Sequence, residues 1–134
     1  MATQASWTQV SGKTACEVSF GADALSVDID PAAGGSGVHP DPHDLLDGAL
    51  ASCTALTLEL YIKRKGFAVQ SIKVSVSHSK SPEGVVLKRL LEVEGTLSEE
   101  QKASLLRIAD MCPIHKTLLG EISILTELSM PLDA

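Results

Sequence analysis

The sequence predicts an α+β domain, with mostly antiparallel sheets packed on two main helices. Three observations lead there: alternating apolar runs near the start, a helical stretch over 42–65, and a second strand pair followed by a well-capped helix. At 134 residues the chain has the length of a single domain, 1–134. Hydrophobic residues make up 44% of it and aromatics only 3%, so Leu, Val, Ile and Ala must build the core.

The N-terminal strands are expected within 5–30. In TACEVSF, Cys16, Val18 and Phe20 alternate with polar neighbours, and in ALSVDID Leu25, Val27 and Ile29 do the same. GAD between them reads as a hairpin turn, and Cys16 reads as a packing residue. Residues 31–41 are dense in Gly and Pro and show neither period, so they form a loop. The central helix, 42–65, takes Asp41 as its cap and Pro42 in its first turn, and stops at Gly66. Leu46, Ala49, Leu50, Cys53, Leu56 and Leu60 recur at three- and four-residue steps and are the expected buried stripe. Gly48, Ala51 and Ser52 allow close backbone approach. Lys63, Arg64 and Lys65 suit the negative end of the helix dipole.

Strands follow over 69–95, with Ile72, Val74 and Val76 alternating before an SPEG turn and VVLKRLLEVEG after it. Ser98 and Gln101 form a capping box for a helix over 98–111, striped by Leu105, Ile108 and Ala109. A short helix over 112–120 opens at Cys112–Pro113, where the N–H that proline lacks would have had no partner. EISILTELSM contains a closing strand over 121–129.

Eleven Lys and Arg against seventeen Asp and Glu give a net charge of −6, which argues against nucleic acid or an anionic membrane as partner. No apolar run approaches the roughly 20 residues of a membrane span. The start, MATQASWTQVSG, lacks a basic segment followed by an apolar one, so a cytoplasmic location is expected. Three cysteines, an odd number, are no disulfide framework.

Cys112 is a candidate reactive thiol. At a helix N-cap, N–H groups and the dipole lower a thiol pKa from about 8.5 toward neutrality. His115, on the first turn, can add positive charge or accept a proton. The alternative is a small buried residue ending the apolar stripe. Cys53 sits mid-helix, where desolvation raises a thiol pKa, so by local sequence it is a core cysteine. It becomes a nucleophile only where a base or cation comes within reach. His39 and His43 are four apart but interrupted by prolines, so they are not the one-faced helical pair of metalloproteases. A zinc set of His39, His43, Cys112 and His115 is the metal alternative; the expectation is no metal and no bound cofactor.

PHDLLDGALASCTALTLELYIKRKG, followed after two strands by LSEEQKASLLRIADMCPIHKTLLGEISI, resembles the OsmC/Ohr family, especially its OsmC-like branch. The likeness is most specific at mid-helix ASCT and at the CP-x-H-K-T-L segment. It implies an OsmC-like fold, intertwined as a homodimer, and a thiol peroxidase reducing small organic hydroperoxides. By the same resemblance Cys53 is peroxidatic and Cys112 resolving, with an external dithiol, lipoyl-linked in the Ohr branch, resetting the pair. The family's activating glutamate and arginine fall at His43 and near Lys13, so this chain departs at both. Lysine lacks the bidentate fork of arginine. A redox sensor without turnover, or a small-molecule binding module on the same dimeric fold, is the alternative. A dimer whose cysteines are purely structural is the third.

Overall fold

The computed structural model describes residues 2–130. Among the described residues, five strands and three α-helices run in the order β1 (Gln4–Ser6), β2 (Cys16–Phe20), β3 (Asp23–Val27), α1 (Pro42–Lys65), β4 (Ala68–Ser81), β5 (Gly84–Thr96), α2 (Glu99–Ala109) and α3 (Pro113–Leu119). The first three strands form an antiparallel sheet in sequence order, and β4 and β5 form a two-stranded sheet. The chain groups into two compact units. One comprises residues 1–52 and 74–91, the other 53–73 and 92–134.

In the first unit, β2 and β3 meet in a hairpin with Phe20 opposite Asp23. Gly21, at φ 74°, opens the two-residue loop, as the tight turns between twisted strands require. Val18 and Val27 are buried, whereas Leu25 and Ile29 are exposed. Cys16, opposite Val27, is half-buried. The loop over 31–41 is held by Asp28, whose carboxylate accepts from the Ser36 N–H at 2.9 Å and the Ile29 N–H at 2.8 Å. Donation by the Ser36 N–H and then the Ile29 N–H, against the opposing pull of burial, lowers the Asp28 pKa to about 2. Because this folded pKa lies below the ordinary carboxylate value near 4, the latch is intact above that pH and opens as pH falls through about 2. The amide resonances of Ser36 and Ile29 should therefore titrate with a midpoint near 2, and Asp28→Asn should abolish that titration.

Helix α1 starts with a reciprocal cap: Asp41 Oδ1 accepts from the Asp44 N–H, and Asp44 Oδ2 accepts from the Asp41 N–H, each at 2.9 Å. It ends at Gly66, φ 70°, where the Gly66 and Phe67 N–H groups both return to the Ile62 carbonyl. Its buried face differs from the expected stripe. Asp47, Leu50, Thr54, Leu58, Tyr61 and Ile62 are buried, while Leu46, Leu56 (59% exposed) and Leu60 (69% exposed) face outward. The helix is apolar or small on nearly every side, so periodicity alone does not select the face. By length and composition α1 could also cross a bilayer, its most apolar window averaging 1.4 in mean hydropathy, which corrects the expectation of no such run. A core helix meets the same test, and this one carries Asp47 and Glu59.

In the second unit Leu58, Tyr61, Ile62, Leu105, Ala109 and Cys112 form the buried cluster, with Phe67 edge-on to Tyr61 at 5.6 Å. Ser98 and Gln101 close the capping box of α2 at 2.9 and 3.1 Å. The strand expected over 121–129 is absent. Residues 121–130 carry no regular secondary structure and are exposed throughout, including Ile122, Ile124, Leu125, Leu128 and Met130. The segment has a strand's sequence but pairs with neither sheet, and a strand without a ladder leaves its N–H and C=O groups to solvent.

Candidate functional site

Two of the three cysteines come together. Cys112 caps α3, with Pro113 at the first helical position, and its sulfur accepts from the His115 N–H at 3.3 Å. The Thr54 hydroxyl, one residue beyond Cys53 on α1, donates to the same sulfur at 3.7 Å. The Cys53 side chain and the Ile114 N–H also act on the Cys112 thiol, each drawing its pKa down. Thr54 and Cys112 are both 0% exposed. Burial pushes the Cys112 thiol up, but the His115 N–H, Cys53, Thr54 and the Ile114 N–H together outweigh it, leaving the pKa below the ordinary thiol value. Both sulfurs are free thiols.

The local reading of Cys53 as the desolvated member is thereby corrected. Cys53 is half-buried, and it is Cys112 that is sealed. The reason lies in helical geometry: successive residues point about 100° apart, so only one of Cys53 and Thr54 can face the core, and Thr54 takes that place. A half-buried thiol thus stands next in sequence to the threonine whose hydroxyl meets an enclosed sulfur of lowered pKa. Such a pair can be oxidised at the first sulfur and joined through the second.

The other expected residues have partners of their own. It is the His115 backbone N–H that reaches Cys112, while its ring nitrogen Nδ1 lies 4.0 Å from the Asp110 carboxylate. Lys13 belongs to the first unit, where its carbonyl accepts from Trp7 Nε1 at 2.9 Å. It lines an open cavity of about 430 Å³ with Asp28, Gly35, Ser36 and His39. His43, in the first turn of α1, places its ring 5.2 Å from that of His78. His78 Nδ1 in turn lies 2.6 Å from Asp47 Oδ2, while Asp47 Oδ1 is buried without a hydrogen-bond partner. Among the described residues no group of three or more His, Cys, Asp and Glu has the arrangement to hold a metal ion.

Sequence reasoning missed Thr54, Asp47 and His78. His78 was readable, since it continues the inward alternation of Ile72, Val74 and Val76 on β4. Thr54 and Asp47 carried no signal, because a polar residue on an almost wholly apolar helix reads as the exposed one.

The profile of the OsmC-like protein family matches residues 34–127. No curated protein matches the chain at the sequence level. Among solved structures, the fold is similar to an OsmC-like protein from Mycoplasma pneumoniae (TM-score 0.74, 20% identity, 89% of this chain and 86% of that one). It is also similar to an organic hydroperoxide resistance protein OsmC from Legionella pneumophila (TM-score 0.64, 20% identity, 89% and 88%). A third is the organic hydroperoxide resistance protein OhrB of Bacillus subtilis (TM-score 0.57, 22% identity, 90% and 92%). At these identities the likeness is one of fold.

Proposed function

The chain belongs to the OsmC-like protein family, and from that premise we propose that it is a thiol-dependent peroxidase acting on small organic hydroperoxides. Cys53 is the peroxidatic thiol and Cys112 the resolving one. The observation that carries this reading is the half-buried Cys53 placed next to Thr54, whose hydroxyl donates to the sealed Cys112 sulfur. Cys53, which solvent reaches, attacks the peroxide and becomes sulfenic acid. Cys112, held toward its thiolate, attacks that sulfenic acid to form the disulfide. An external dithiol, lipoyl-linked, returns the pair to thiols. Two structural neighbours named for organic hydroperoxide resistance support the substrate class. Lys13 and His43 stand where the family has its activating arginine and glutamate, and Ala at either position should lower kcat/KM if it serves there.

The enzyme is cytoplasmic and works as a homodimer. Leu56 and Leu60 on α1 and the alternating Ile122, Ile124, Leu128 and Met130 are exposed on a single chain, and a second copy is the surface that covers them. Sedimentation should give the mass of two chains, and Leu60→Asp should move it toward one. A mass of one chain for the unaltered protein would remove the dimer.

The test of the activity is consumption of tert-butyl hydroperoxide under dihydrolipoamide, with peptide mapping of the thiols. Sustained consumption and a Cys53–Cys112 disulfide after one equivalent are expected. A disulfide without sustained consumption would make the protein a redox sensor, and neither would leave both cysteines structural.

A further inference from the structure

We propose that Thr54 is a positioning residue for the Cys112 sulfur: its hydroxyl and the His115 N–H together keep that sulfur an enclosed anion, reactive toward what the protein brings to it and closed to reagents in solvent. The inference deepens the reading of Cys112 as the resolving thiol, and its use in the reaction rests on that reading; the state of the sulfur does not. Thr54 and Cys112 are both 0% exposed, and the hydroxyl donates to the sulfur at 3.7 Å across 58 residues of chain. The His115 N–H donates to the same atom at 3.3 Å. A sulfur that receives two donors is being used as an acceptor. A neutral thiol is a poor acceptor and a thiolate a strong one, so this pair of donors favours the charged form.

Charge and access are ordinarily linked at cysteine. Reactive thiols sit partly open to water beside a positive group, and buried ones stay protonated and inert. At Cys112 the two are separated. Burial pushes the thiol up and the donors outweigh that push, which agrees with an anion in a closed place. Thr54→Val keeps nearly the same shape and removes one donor, so the sulfur holds a charge less well. In the resolving step the Cys112 thiolate attacks the sulfenic sulfur of Cys53. The S–O bond breaks, hydroxide leaves and takes a proton from solvent, and the disulfide forms. Cys112 is oxidised, the sulfenic sulfur is reduced, and no proton has to be removed from the attacking sulfur first.

The experiment uses the full chain carrying Cys16→Ser and Cys53→Ser, which leaves Cys112 as its one thiol. Thiolate is read by absorbance near 240 nm against pH. Adding Thr54→Val or Thr54→Ala should raise the midpoint by about one pH unit, the size of one hydrogen bond to a charged group, and Thr54→Ser should return it. Iodoacetamide should modify Cys112, per thiolate, on the order of 100-fold more slowly in the folded protein than in urea, since it must wait for local opening. With Cys53 restored, disulfide formation after one equivalent of cumene hydroperoxide should be about tenfold slower at pH 7 in Thr54→Val, the gap closing above about pH 9. A midpoint that stays put in both Thr54→Val and Thr54→Ala would make Thr54 a space-filler and overturn the proposal. So would a midpoint displaced equally by Thr54→Ser, which keeps the hydroxyl, or rapid alkylation of the folded protein. Titration and protection as expected, with no disulfide formed under peroxide, would count against the peroxidase reading and leave the role of Thr54 standing.

Discussion

Hydroperoxide consumption should fall to the uncatalysed background in Cys53→Ser, a loss on the order of 10³-fold or more, because a serine hydroxyl is neither nucleophilic enough at neutral pH nor able to pass through a sulfenic acid. Cys53 is half-buried, and oxygen for sulfur is a small change of volume there, so the thermal midpoint should move little. Cys112→Ser should behave differently. It should lose sustained turnover with a lipoyl dithiol while still forming one sulfenic acid per chain. Coupled assays on the two variants, with circular dichroism as the check on folding, separate a missing nucleophile from a missing partner. Equal loss of the first oxidation event in both would contradict the division of labour.

The largest expected effect on stability is at Leu58. It is 0% exposed in the centre of the second unit's buried cluster, and Leu58→Ala should cost about 2–5 kcal/mol, from lost transfer energy and the cavity left behind. Leu60, two positions on, is 69% exposed on a single chain. Leu60→Ala should leave the protomer's own stability within about 0.5 kcal/mol and act instead on association between copies. Urea unfolding at two protein concentrations distinguishes the cases. A large, concentration-independent loss at Leu60 with little at Leu58 would mean that the faces of α1 have been assigned the wrong way round.

Much of the architecture was legible. The helix Pro42–Lys65 is marked by Asp41, Pro42 and Gly66, each acting through backbone groups within a few residues of itself. The Ser98–Gln101 box and the Cys112–Pro113 start of α3 are equally local. What failed depended on distant partners. The face of α1 was misjudged because an apolar side chain fits either side, and only packing decides that Thr54 points inward and Leu56 outward. Residues 121–129 have strand-like alternation, but a strand requires a neighbour, and neither sheet supplies one. At the site, the identity of the two sulfurs was legible and their environments were not. Local sequence made Cys53 the enclosed one, whereas the neighbour that encloses Cys112 lies 58 residues away in the chain.

That neighbour has a thermodynamic consequence. In the proposed cycle, joining Cys112 to Cys53 would leave the Thr54 hydroxyl and the His115 N–H facing a disulfide sulfur, a weaker acceptor than a thiolate, at a buried position. The oxidised state would carry that penalty and the reduced state would not, so the couple's midpoint potential should shift in the oxidising direction, making the bridge easier to reduce. Thr54→Val, by removing one of the two donors, should make the bridge harder to reduce, as equilibration against a glutathione series would register.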